Sequence, residues 1–226
     1  MLIADNWVLT AAHVAKSLTV GSSDFKSLEG SSPIDAIYTF SSSAFPSHDI
    51  ALVHLSASLD VVTPVLNDVV IGAQQVASLG NLTMASAQNQ APNGYATTTA
   101  YDVAETYQPD QGSPVTVNWL LTQGQAYVQS GDSGSALFAG EATDSAHELL
   151  LGIASAVLID NDTALPIGSA YVQVASYKSW IDATMAASGQ QATWVSSVPE
   201  PTSLLLCVAG GMAILARRPG QIRRNG

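Results

Sequence analysis

The chain has one cysteine, Cys207, among 226 residues, so no disulfide can form within it. A domain of this length must then be held by burial of apolar side chains rather than by covalent staples. Charge is also scarce, with only 11% charged residues, and basic charge most of all: seven Lys and Arg stand against 18 Asp and Glu, for a net −11. That balance excludes nucleic acid and anionic membrane surfaces as general partners. Four of the seven basic residues are Arg217, Arg218, Arg223 and Arg224 at the far end, so the rest of the chain is more acidic still. Clustered metal ligands are missing. His48 and His54 share strand parity but have no further histidine or cysteine beside them, so no metal and no cofactor is expected. No charged, apolar and small-residue leader precedes Met1-Leu-Ile-Ala-Asp-Asn-Trp-Val, so no signal peptide is expected in the sequence as it stands.

Three short blocks remain that carry chemistry. Thr10-Ala-Ala-His13 closes the apolar run Trp7-Val-Leu; His48-Asp49 opens the run Ile50-Ala-Leu; and Ser133 sits in Gly131-Asp132-Ser133-Gly134. Each has an ordinary reading by itself: a surface histidine, a strand start, a tight turn. Together they supply the parts of an acyl-transfer site. A serine hydroxyl needs an adjacent base to act as a nucleophile, histidine titrates near working pH, and a buried carboxylate fixes the imidazole tautomer. Gly131 lets the backbone turn so that its N–H and that of Ser133 can face one developing oxyanion. The order is His, Asp, Ser, with spacings of 36 and 84 residues that leave room for intervening strands.

Elsewhere, short apolar runs alternate with Gly, Pro, Ser and Asn, as in an all-β sandwich or barrel. Strand candidates are Ala36–Phe40, Ile50–Leu55, Gln75–Leu79, Ala96–Tyr101, Val115–Leu121, Leu149–Leu158 and Ser169–Val174. Residues 41–47 and 86–94 read as loops, and Tyr177–Ala187 as a helix stopped by Gly189.

The combined pattern resembles the trypsin-like (chymotrypsin family) serine peptidases, from about residue 5 to 187. The resemblance implies two antiparallel β-barrel lobes and a C-terminal helix over residues 1–189. Strands that precede the histidine block in the family are missing here, so the first lobe is expected to be incomplete and to leave an unpaired edge. The resemblance makes His13, Asp49 and Ser133 the catalytic residues, with Gly131 and Ser133 forming the oxyanion hole. It places Tyr127 at the floor of the primary specificity pocket, and Ser155, Val157 and Ser169 on its walls. A tyrosine floor and a valine wall imply small or uncharged P1 residues, since a basic side chain would be buried without a counter-ion. Asp132 corresponds to the aspartate that in the family often pairs with a freed N-terminal amine, and its partner here is left open. Val14 stands where disulfide-stapled members have cysteine, which points to a bacterial chain. The implied function is an exported serine endopeptidase acting on protein or peptide substrates. The alternatives are a non-catalytic binding module on the same fold, or an envelope or matrix protein.

After a polar linker, 190–198, the sequence Val198-Pro-Glu-Pro201 leads into the apolar stretch Leu204–Ala216 and then Arg217-Arg218. This resembles a PEP-CTERM sorting signal of Gram-negative bacteria, which implies an exosortase-type sorting enzyme as partner. Thirteen residues of helix span about 20 Å, short of the roughly 30 Å hydrocarbon core, and extending the helix over 199–218 with snorkelling arginines narrows the gap. The arginines favour a cytoplasmic end, with 219–226 as a basic tail and the acidic domain outside, in the cell envelope or extracellular matrix. An ordinary C-terminal membrane anchor is the other reading. In either case, deleting residues 199–226 is expected to release the domain from the envelope without changing its catalytic constants. Membrane fractionation after a salt wash checks this, and retention of the tailless protein in the membrane contradicts it.

Overall fold

The computed structural model describes residues 1–27, 30–41, 45–86, 94–109, 111–140 and 149–196. The sorting and anchor reading of 199–218 therefore lies outside the described residues. Within them, no helix is long and apolar enough to cross a membrane.

The first lobe contains β1 (Leu2–Ala4), β2 (Trp7–Thr10), the one-turn helix α1 (Ala12–Ala15), β3 (Asp24–Lys26), β4 (Ser31–Thr39) and β5 (Ala51–Leu55). The second contains β6 (Val65–Asn67), α2 (Ala73–Val76), β7 (Asn81–Ala85), β8 (Tyr95–Tyr107), β9 (Val115–Gln123), β10 (Ala136–Ala139), β11 (Leu149–Ile159) and β12 (Pro166–Gln173). A 3-10 turn (Val174–Tyr177), α3 (Lys178–Ala186) and β13 (Trp194–Val195) follow.

The first sheet has the order β1-β2-β5-β4-β3, and among the described residues no pairing joins its two edges. The second runs β10-β7-β8-β9-β12-β11-β6-β13, and an added β10–β11 pairing closes six of its strands into a ring. The architecture is thus all-β, with two sheets and few helices, one sheet open and one closed. Two pairings depart from an all-antiparallel arrangement, since β6 lies parallel to both β11 and β13. Both β6 and β13 reach the second sheet from elsewhere in the fold rather than through a hairpin, so nothing forces them antiparallel.

The strand period explains how one short strand serves two cores. Successive side chains in a strand face opposite sides. In β2 and β5, Val8, Val53 and Leu55 point into a cluster with Leu2, Ile34 and Leu59 that belongs to the first lobe. Their alternates Trp7, Leu9 and Leu52, with Ile50 just before β5, point the other way. There they join Leu66, Phe138, Ile153 and Val172 of the second lobe and Ile181 and Met185 of α3. Both strands are therefore almost continuously apolar. Each fully buried Leu or Ile contributes about 1.5–3 kcal/mol, which is how the lobes hold together without a disulfide. The C-terminal segment is strapped back across this shared core, with Trp7 Nε1 donating to Ser188 Oγ at 3.1 Å.

Most expected strands are present, often longer than the apolar run that signalled them; β8 extends from Tyr95 to Tyr107. The Gln75–Leu79 segment is a correction, because α2 occupies Ala73–Val76 where a strand was expected. The Gln75 side chain accepts from the Gly72 N–H at 3.1 Å and caps a single helical turn. So short an apolar run carries no period that separates helix from strand.

The ring tolerates no side chain at Gly168, where a Cβ would lie 1.9 Å from the Thr122 carbonyl oxygen. That neighbour is backbone of the paired strand β9 and cannot move aside. Gly168→Ala is expected to lower unfolding stability by about 1–3 kcal/mol. Urea denaturation checks this, and an unchanged midpoint contradicts the close approach of β9 and β12.

Candidate active site

The site is built around Asp49, whose side chain is fully buried. The last residues of β2 bring the chain to Ala11, which is extended, and α1 then begins. A helix start leaves backbone N–H groups without partners. Asp49 Oδ1 accepts one of them, from His13 N at 2.9 Å. Its other oxygen, Oδ2, lies 2.7 Å from His13 Nδ1. A third donor arrives from β11, where Ser155 Oγ donates to Oδ2 at 2.7 Å. One carboxylate therefore holds the backbone and ring of His13 and ties the two lobes together.

Burial alone would oppose ionisation of Asp49. The hydrogen bonds from the His13 ring, the Ser155 hydroxyl and the His13 N–H outweigh it, and His13 adds charge attraction, so its pKa falls below the ordinary 3.8. With Asp49 accepting from Nδ1–H, a neutral imidazole keeps Nε2 as its proton acceptor. The ring is about one-third exposed.

The turn at Ser133 comes to the same seam. A Cβ on Gly134 would lie 2.2 Å from Thr10 Oγ1 and 3.2 Å from Ala11 N, so this glycine presses against the residues that lead into His13. Gly134 N donates to Ala154 O at 2.9 Å, and Ala154 N donates to Ser135 O at 2.8 Å, which fixes the turn beside Ser155. Phe45 meets the His13 ring edge-on with centroids 5.6 Å apart, and it lines the same cavity as Ser133. Among the described residues, no hydrogen bond joins Ser133 Oγ to His13. Contacts of this kind commonly tighten only when substrate is present. Gly131 has φ +100°, a conformation suited to glycine. Within this turn Asp132, Gly134 and Ser135 donate their N–H groups to backbone carbonyls, whereas the described residues offer no acceptor to the N–H of Gly131 or Ser133. Asp132 is buried, and its Oδ2 accepts from Ser86 Oγ at 2.5 Å and from Gln129 N at 3.0 Å.

A cavity of about 460 Å³ opens beside Ser133. Its walls are mostly apolar, including Phe45, Tyr107, Trp119, Val128, Ala156 and Val157, and among the described residues no charged side chain lines it. Of the residues expected at the specificity pocket, Ser155 and Val157 line this cavity. Tyr127 and Ser169 are not among the residues that line it. Val128 rather than Tyr127 faces the cavity, while Ser169 is fully buried behind it and accepts from Val128 N at 2.8 Å. Phe45 sits in the loop just before Asp49 and Tyr107 and Trp119 on the β8–β9 hairpin, and none of the three carried a signal in the sequence. Ser155 was foreseen as a wall, but its bond to Asp49 was not. Among the described residues, no group of three or more His, Cys, Asp and Glu side chains comes together to hold a metal.

Removing the Ser155 hydroxyl strips Asp49 of a donor. Because the folded pKa is depressed, the stabilisation that Asp49 contributes is full above its unfolded value of about 3.8 and is lost as pH falls through the lower folded value. Ser155→Ala is expected to raise the Asp49 pKa, move the onset of acid unfolding to higher pH and cost about 1–3 kcal/mol at neutral pH. Urea titrations across pH check this, and superimposable acid limbs for the two proteins contradict it.

The family model described as Trypsin matches residues 1–181. Several solved structures share the fold. One is the scabies mite inactivated protease paralogue S-I1, 21% identical, covering 82% of this chain and 86% of its own, with a TM-score of 0.58. Another is kallikrein-related peptidase 10 in complex with Zn2+, at 21% identity, 83% and 88% coverage and a TM-score of 0.51. A third is neuropsin, a serine protease expressed in the limbic system of mouse brain, at 21% identity, 82% and 87% coverage and a TM-score of 0.52. No curated protein matches the chain.

Proposed function

The chain belongs to the trypsin family, serine endopeptidases that hydrolyse peptide bonds in protein or peptide substrates, and we propose that His13, Asp49 and Ser133 carry that reaction here. The observation that supports this most is the seam at Asp49. Its carboxylate grips His13 on one side and Ser155 on the other, and the Ser155 segment is bonded to the turn that holds Ser133.

In the reaction so assigned, His13 Nε2 takes the Ser133 proton as Oγ attacks the scissile carbonyl. The oxyanion of the tetrahedral intermediate is received by the N–H groups of Gly131 and Ser133, donors worth about 3–4 kcal/mol each in such sites. Collapse of the intermediate breaks the C–N bond. The proton on His13 passes to the leaving amine, and the acyl group stays on Ser133. Water, deprotonated by the same imidazole, attacks the ester and frees the acid. Asp49 remains ionised throughout and stabilises the imidazolium.

The uncharged, largely apolar walls of the cavity support a preference for uncharged P1 side chains, because a cation there would lose its water and gain no counter-ion. The volume leaves room for more than a small residue, so uncharged character is the feature that selects. We further propose that the protein is exported, that residues 199–218 carry a PEP-CTERM-type signal read by an exosortase-type enzyme, and that this segment holds the acidic domain at the envelope. The apolar stretch ending in Arg217-Arg218 supports that reading.

A fluorophosphonate probe is expected to label the full chain at Ser133, and a peptide or ester of an uncharged residue to be turned over. Ser133→Ala and His13→Ala are each expected to lower kcat by about 10⁴-fold or more, with the double variant little worse than either, since the groups act as a unit. Undiminished turnover in Ser133→Ala would place the nucleophile elsewhere. A folded wild-type protein that neither reacts with the probe nor turns over substrate would instead fit a non-catalytic binding module.

A further inference from the structure

The residue before Asp49 is held in an unusual way. His48 has φ +49°, a left-handed conformation that residues with a β-carbon avoid. Its carbonyl accepts from Ile50 N at 2.8 Å, which closes a three-residue turn with Asp49 at the centre. The conformation of His48 therefore sets the direction in which the Asp49 side chain leaves the backbone. Strain of this kind persists where surrounding structure over-determines it.

The surroundings do so through the other lobe. His48 Nδ1 lies 3.0 Å from the Tyr177 hydroxyl. The imidazole also packs on Phe40, with centroids 5.0 Å apart, and Phe40 meets Tyr177 and Trp180 edge-on at 4.9 and 5.7 Å. Tyr177 is buried, with Asn118 of β9 near its phenol oxygen. Burial pushes that phenol above its ordinary value of 10, Asn118 pulls the other way, and the charge on Asp49 adds to the rise, so the O–H keeps its proton.

We propose that His48 is a positioning residue for Asp49: its ring, bonded to Tyr177, holds the turn that aims the carboxylate at His13. Ser155 fixes the carboxylate itself, and His48 fixes the backbone that carries it. The two ties reach the second lobe independently, through β11 and through the 3-10 turn before α3. Glycine could adopt the backbone angle at position 48 but could not reach Tyr177. Alanine does neither. Asparagine tolerates the left-handed region and carries a side-chain amide, so it is the conservative replacement.

The inference rests on the assignment of Asp49 as the partner of the catalytic imidazole. Its test therefore has one readout that needs turnover and one that does not. The full chain and its His48→Ala, His48→Asn and Tyr177→Phe variants are compared for kcat and KM on a peptide ester. Low-field proton NMR without substrate follows the His13 Nδ1–H that bonds to Asp49. His48→Ala is expected to lower kcat about tenfold with KM within about twofold, and to weaken or shift the low-field resonance. His48→Asn is expected to recover most of both, and Tyr177→Phe to fall between. Should His48→Ala fail to fold, Tyr177→Phe removes a single oxygen and decides the matter by the same two readouts. Variants that melt earlier but keep wild-type kcat and an unmoved resonance overturn the proposal and leave His48 with a structural role only. If the wild type shows no turnover, the catalytic assignment fails separately. The resonance then decides alone: lost in His48→Ala it supports positioning, and unchanged it overturns it.

Discussion

A single buried carboxylate organises this molecule. Asp49 has no exposed side-chain surface, and it accepts from His13 twice and from Ser155 once. A charge so placed is tolerated only while its donors are present. Each donor brings a structural element with it. The His13 N–H starts α1, the His13 ring is held in one tautomer, and the Ser155 hydroxyl draws β11 of the second lobe against the first. The same bonds that stabilise the carboxylate therefore decide where His13 and the Ser133 turn sit.

Packing makes that arrangement stiff. The shared core runs from Trp7 and Leu9 through Leu52 to Phe138, Val172 and Met185, so the lobes cannot slide without uncovering apolar surface. Close backbone approaches add discrete stops, with Gly134 against Thr10 and Gly168 against Thr122. The closed six-strand ring of the second lobe carries the Ser133 turn and most of the cavity wall. The open sheet of the first lobe carries His13 and Asp49. Catalysis in this family demands placement to within fractions of an ångström, and here that placement comes from burial, since Cys207 has no second cysteine to pair with.

What could be read from the sequence had a local physical signature. The order of His13, Asp49 and Ser133, the glycine needed at position 131, and the strands flanking each motif are all encoded within a few residues. So is α3, with Gly189 at φ +76° ending it. What escaped was set by distant partners. Tyr127 and Val128 are neighbours, and the bond from Val128 N to Ser169 Oγ ties this segment to a strand 41 positions away. The bond of Ser155 to Asp49 spans 106 positions and that of His48 to Tyr177 spans 129, and neither leaves a trace in spacing or periodicity. The turn at Ala73–Val76 was missed because a run that short has no period to read.

The account stands on Asp49, His13 and Ser133 forming one constellation across the seam between the lobes. A crystal structure of the full chain after reaction with a fluorophosphonate tests this most directly. The account predicts phosphorus bonded to Ser133 Oγ, and a phosphoryl oxygen about 2.7–3.1 Å from the N–H groups of Gly131 and Ser133. It also predicts His13 Nε2 within hydrogen-bond reach of the adduct while Nδ1 still contacts Asp49. An adduct on another residue, or one on Ser133 with the imidazole detached from Asp49 and turned away, would contradict it.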